Sequence, residues 1–121
     1  MKTVFSVILL SMLVVFNLRS AQAGANDGRL DIYWVDVEGG AATLIVTPQG
    51  ESILIDTGNP GIRDPQRIFN IVTQEARLTK IDHLITTHYH RDHYGGASQL
   101  SKMISLGTVW DNGKFDDMPD D

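Results

Sequence analysis

The segment T-H-Y-H-R-D-H-Y-G-G, Thr87 to Gly96, places three of the chain's four histidines within six residues. It follows the apolar run Ile81 to Thr86 (IDHLIT), which reads as a buried strand, so the histidines fall where a strand runs out into a polar loop, Thr87 to Tyr94. If the extended geometry continues past Thr86, residues two apart point to the same side, and His88 and His90 can grip one ion together. The chain then turns, which swings Asp92 and His93 toward a second position nearby. Imidazole and carboxylate are ligand types that zinc takes. Two such ions about 3.5–4 Å apart can share a hydroxide and clamp a hydrolytic transition state. Gly95-Gly96 lets the backbone approach without side-chain obstruction. A His-rich tract can also bind metal adventitiously on a surface; the patterned spacing, the preceding strand and the closing glycines favour a built metal site. His83 lies inside the strand and is read as a core or surface histidine rather than a ligand.

Upstream, Ser52 to Asp56 (SILID) ends an apolar strand on a carboxylate and opens the loop Asp56 to Arg63 (DTGNPGIR), dense in Gly, Pro and Asn. An acid there either caps a turn or holds a polar site at the sheet edge. Beside a histidine loop the second role is favoured, since a metal-bound imidazole wants an orienting partner. Leu30 to Val37 and Ala41 to Thr47 read as two earlier strands, and Pro48-Gln49-Gly50-Glu51 turns the second into the SILID strand as a hairpin. After the loop, Asp64 is placed as an N-cap and Pro65 at the first helical position. Ile68, Phe69, Ile71, Val72 and Ala76 follow at helical spacing, and the helix is expected to end near Leu78. A second helix is expected over Ala97 to Ile104 and a last strand over Leu106 to Trp110. The order predicts an α/β fold with a mixed sheet. Strands this apolar want both faces covered, and two short helices can cover only one.

Met1 to Ala23 reads as an address. Lys2 supplies a positive start, Val4 to Phe16 an apolar core, and Ala21-Gln22-Ala23 a small-x-small cleavage pattern. That core is shorter than the roughly 20 residues that span a bilayer, so a cleaved secretory signal and a secreted or periplasmic location are expected, with no permanent membrane span. Removing 23 of 121 residues leaves 98. It also removes Lys2 and Arg19 from the 10 basic residues, leaving 8 against 15 acidic, a balance of −7. Residues 24–29 form a short flexible lead, 30–110 the folded part, and 111–121 an acidic tail. The absence of cysteine excludes disulfides, thiolate ligands and a thiol nucleophile. The acidic balance argues against nucleic acid as a partner, and a small-molecule substrate is expected.

Asp56-Thr57-Gly58 followed by the Thr87–Gly96 motif resembles the metallo-β-lactamase superfamily of metallo-hydrolases. Val35-Asp36-Val37-Glu38-Gly39-Gly40-Ala41-Ala42 is similar to the branch that includes the hydrolase-like domain of DNA-uptake competence proteins. The resemblance implies the N-terminal half of a four-layer αβ/βα sandwich with a dinuclear zinc site at one sheet edge. It implies His88 and His90 on the first ion, Asp92 and His93 on the second, and Asp56 as their ordering neighbour. The candidate catalytic carboxylates are then Asp92, which also orients the nucleophile, and Asp56. The activity implied is attack by a metal-bridged hydroxide on an ester, lactam, thioester or phosphoester centre. The diiron branch is disfavoured because it places Glu where this chain has His90. In the superfamily a third histidine for the first ion, a bridging aspartate and a further histidine come from the later half. No histidine follows His93 here, and Asp111, Asp116, Asp117, Asp120 and Asp121 lack the spacing to supply the bridge. The expectation is therefore a fragment of a longer enzyme whose missing C-terminal half completes the metal site. The alternative is a non-catalytic truncated module that binds metal weakly or pairs with another subunit.

Overall fold

In the computed structural model of the chain, residues 24, 25 and 27–113 are described. The expected signal at 1–23 and most of the acidic tail lie outside them. Among the described residues no helix is long and apolar enough to cross a membrane.

Five strands form one mixed sheet in sequential order: β1 (Asp31–Trp34), β2 (Thr43–Val46), β3 (Ser52–Ile55), β4 (Lys80–Ile85) and β5 (Ser105–Trp110). The β1/β2 and β2/β3 pairs are antiparallel, and β3/β4 and β4/β5 are parallel. The parallel pairs follow from their connections, since a strand that returns through a helix re-enters the sheet in the same direction. Every expected strand is present, several shorter than the sequence alone defined them. Val35 and Val37 are buried yet lie beyond β1, in the stretch that bends toward Gly39 and Gly40. The hairpin turn is where Pro48 and Gly50 placed it, closed by the Glu51 and Gly50 N–H groups on Thr47.

The helix between β3 and β4 differs from expectation in two ways. α1 spans Arg63–Asn70 with Ile62 as its N-cap, so Asp64 sits inside the first turn rather than capping it. Its carboxylate turns back to Asn59 in the preceding loop and to the Arg63 side chain instead of capping the helix N–H groups. The helix then widens into a π-helical turn over Ile71–Glu75, with the Ala76 N–H bonded to the Ile71 carbonyl at 2.9 Å. Ala25 donates to the Ala76 carbonyl and Gly24 to the Asp31 carboxylate, which anchors the start of the lead. After β4, the segment read as loop contains a helical turn, α2 (Arg91–Tyr94). The expected second helix is regular only over α3 (Ala97–Leu100), and its remainder loosens into a turn before Ile104.

Leu44, Leu54 and Leu84 stand in register across β2, β3 and β4, each 1% exposed or less, and pack with Ile68, Val72, Ala76, Leu100 and Ile104. On the opposite sheet face two rows cross all five strands. They are Ile32-Ile45-Ile53-His83-Thr108 and Trp34-Thr43-Ile55-Ile85-Trp110. None of these residues joins the buried core, and Trp34 is 78% exposed. The helices thus cover one face and leave the other, as the helix count implied. The parallel strands end together at one rim, where Asp56 and Thr86 leave β3 and β4.

Candidate metal centre

Asp56 follows β3 in the left-handed backbone region at φ 60°, which a short polar residue tolerates. The turn carries its carboxylate under the rim, where it is 2% exposed and accepts three hydrogen bonds. The Thr87 N–H donates to Oδ1 at 2.8 Å, and the Thr87 hydroxyl donates to Oδ2 at 2.7 Å. His93 Nδ1 lies 2.8 Å from the same Oδ2. A carboxylate so surrounded only accepts, so His93 carries its proton on Nδ1 and keeps a lone pair on Nε2. A similar argument fixes His88. The Thr87 hydroxyl has given its hydrogen to Asp56, so at 3.0 Å it accepts from His88 Nδ1, and the lone pair of His88 falls on Nε2.

His88 Nε2 addresses His90 Nδ1 at 3.0 Å, with the two ring centroids 4.6 Å apart. The His88 and His93 rings lie 3.9 Å apart, and Asp92 Oδ2 stands 3.8 Å from His93 Nε2. The rim therefore brings His88, His90, Asp92 and His93 together as a chain of neighbours, with Asp56 bonded to His93. His88 and His90 lie side by side, with the His90 backbone in the extended region at φ −78° and ψ 145°. Asp92 and His93 reach their places on the α2 turn. His83 is elsewhere, on the uncovered sheet face, where Glu51 lies 3.0 Å from its Nε2 and Trp110 donates to its Nδ1 at 3.1 Å. Asp111 accepts from the Gly113 N–H in a local turn.

By chemistry the donor set fits a metal: three imidazoles and a carboxylate, with Nε2 lone pairs at His88 and His93 prepared by neighbours of the kind that orient metal-bound histidines. Among the described residues, however, no three His, Asp or Glu side chains converge to hold an ion by themselves. The set offers donors in pairs.

The surrounding loops hold this rim closely. Thr57, 1% exposed, donates its N–H at 2.6 Å and its hydroxyl at 3.2 Å to the His93 carbonyl. Ala41 donates to the Asp92 carbonyl at 3.2 Å. A Cβ on Gly96 would collide with the Thr57 carbonyl, and one on Gly95 with Pro60. The two glycines therefore allow the loop and helix backbones to touch. Asp64, 1% exposed, accepts from Arg63 Nε and from the backbone and side chain of Asn59. Burial works to raise its pKa, but the Arg63 guanidinium and the Asn59 donors prevail and hold it below the ordinary carboxylate value. The Arg63 pKa is raised by Asp64 and Glu38 in turn. Sequence reasoning assigned no role to Thr57, Thr87 or Asn59. Their signal is only adjacency to the acid and the histidines. A groove of about 360 Å³ lined by Trp34, Asp36, Arg67 and Ile71, among others, contains none of the cluster residues.

Comparison with known proteins gives the same direction. Residues 35–119 match the family model described as the metallo-beta-lactamase superfamily. A UPF0173 metal-dependent hydrolase of Polynucleobacter asymbioticus is 34% identical over 102 residues, covering 82% of this chain and 33% of that protein. Integrator complex subunit 11 of Danio rerio is 35% identical over 69 residues, covering 54% of this chain and 12% of that protein. Among solved structures, MEM-A1, a subclass B3 metallo-beta-lactamase from a soil metagenome library, matches with a TM-score of 0.52 and 35% identity. That match covers 74% of this chain and 30% of the other. The chain spans about a third of the length of the first of these relatives and less of the others.

Proposed function

The chain belongs to the metallo-β-lactamase superfamily, and from that premise we propose that it carries the first half of the metal site of an exported hydrolase. The reading rests on one observation: the Nδ1–H groups of His88 and His93 donate to the Thr87 hydroxyl and the Asp56 carboxylate, which leaves both lone pairs on Nε2 at the same rim. His88 and His90 would hold one ion, and Asp92 and His93 a second, with zinc the metal these donors suit. A bound metal pair supplies Lewis acidity and an activated water for attack on an ester, lactam, thioester or phosphoester centre. Asp56 keeps His93 in its ligating tautomer, and Asp92 contributes negative charge beside it. Export follows from the leader-like Met1 to Ala23.

Zinc titration by calorimetry tests the site. Two equivalents should bind; His88→Ala and His90→Ala should each lose the first, and His83→Ala should keep both. Loss of zinc in the His83 variant would overturn the division of the histidines. Hydrolysis of a chromogenic ester or β-lactam would support an active centre. A second reading, a non-catalytic module, is favoured by the failure of any three donors to converge among the described residues. Zinc binding at micromolar strength or weaker, with no turnover, would select it. Coding sequence past the Asp121 codon that adds histidines and an aspartate would select the hydrolase.

A further inference from the structure

We propose that Asp64 is a positioning residue for Asp92 and His93, acting by clamping together the two loops that hold the backbone of those residues. The inference rests on the metal reading above and concerns only the second half-site. A buried carboxylate is retained only if fully partnered, and Asp64 is partnered by Asn59 of the preceding loop and by Arg63 at the first position of α1. Its Oδ2 accepts from the Asn59 N–H at 2.8 Å and from Asn59 Nδ2 at 3.1 Å, and its Oδ1 from Arg63 Nε at 2.6 Å. Those two residues carry the connection across to the stretch after β1. Asn59 Nδ2 also donates to the Val37 carbonyl at 3.1 Å, and Arg63 donates to Glu38 at 2.7 Å and to Val37 at 3.4 Å.

Each clamped loop then touches one residue of the pair. From the Asp56–Gly61 side, Thr57 donates twice to the His93 carbonyl, and Gly58 accepts from the Gly96 N–H. From the Val37–Ala41 side, Ala41 donates to the Asp92 carbonyl, and a Cβ on Gly40 would strike that same carbonyl. Gly58, at φ 68°, passes directly over Asp64, where a Cβ would lie 2.7 Å from Oδ2 and 3.0 Å from Val37. The side chains of His88 and His90 hydrogen-bond instead to Thr87 and to each other, while the His90 carbonyl accepts from the His93 and Tyr94 N–H groups. Loss of the clamp should therefore loosen one pair and spare the other.

The test compares Asp64→Asn with Asp82→Asn in the 121-residue chain. Asp82 lies in a separate network with Ser52 and Lys80 at the far end of β3 and β4, so its variant controls for lost stability alone. Cobalt(II) titration is followed by visible absorption, and hydrogen exchange is followed at the Thr57 and Ala41 amides. In Asp64→Asn the second cobalt equivalent should weaken by about tenfold or more, with the first little changed, and both amides should exchange faster. Asn59→Ala should reproduce the pattern, which guards against a failure specific to residue 64. Equal weakening of both equivalents, the same pattern in Asp82→Asn, or unchanged exchange at both amides would overturn the proposal. If the unaltered chain takes up no cobalt, the metal reading fails, and the exchange result still decides whether Asp64 holds these loops.

Discussion

Replacing Asp56 by Asn changes one atom and should reverse a tautomer. The carboxylate accepts the Thr87 N–H on Oδ1, and the Thr87 hydroxyl and His93 Nδ1–H on Oδ2, while 2% exposed. Asparagine has a single oxygen. With that oxygen turned toward His93, its amide would face the backbone N–H of Thr87, a donor that cannot reverse. The favoured orientation keeps the oxygen on the Thr87 N–H and presents the amide to the hydroxyl and the imidazole. The hydroxyl can rotate and accept. His93 can accept only by moving its proton from Nδ1 to Nε2, which removes the lone pair proposed to hold metal. Two charge-assisted bonds become neutral ones or are lost, at about 1–2 kcal/mol each, for a total of about 2–4 kcal/mol. Urea unfolding with an unchanged m-value measures the cost, and multiple-bond ¹H–¹⁵N NMR of the ring nitrogens reads the tautomer. A loss below about 1 kcal/mol, with His93 still protonated on Nδ1, would refute the claim that Asp56 orients this histidine.

Three other outcomes follow from the same structure. Lys80 holds the Asp82 carboxyl down to about 2 from 3.8, aided by the Ser52 donors, so its contribution is present above pH 4 and fades as pH falls toward 2. With Lys80 itself 65% exposed and screened, that contribution is about 1–2 kcal/mol; the stability gap between the unaltered chain and Asp82→Asn, measured in urea, should close over that range and would disprove the pairing if it stayed constant. Gly96→Ala suits its backbone at φ −81° but overlaps the Thr57 carbonyl, so it should cost about 1–3 kcal/mol and lower Tm; a neutral result would mean that helix and loop can part freely. Leu54→Ala should cost about 2–5 kcal/mol because Leu54 is fully buried, and Ile53→Ala markedly less; equal losses would contradict the assignment of the two sheet faces.

Much of this was legible without coordinates because it is local. Apolar, β-branched runs announced all five strands, Pro48 and Gly50 announced the hairpin, and the Thr87–Gly96 spacing announced which side chains share a rim. The errors fall where another hydrogen-bond partner overrode the local signal. Asp64 followed by Pro65 has the composition of a cap, yet the Asn59 donors and Arg63 draw its carboxylate backward, and the helix starts on Ile62 without a side-chain cap. The histidine loop acquires a helical turn because the Asp92 and His93 carbonyls are caught by Ala41 and Thr57, residues remote in sequence.

The sequence by itself determined the succession of strands and helices and the mixed sheet, since residue type and local spacing suffice for both, and it singled out the candidate donors by their spacing in the Thr87–Gly96 motif. Only the tertiary structure decided which nitrogen of His88 and of His93 keeps its lone pair, and which loops hold the Asp92 and His93 backbone. Those properties depend on hydrogen bonds such as His93 to Asp56, 37 residues apart. Proton placement and the hold on that backbone are set by groups that meet only once the chain has folded.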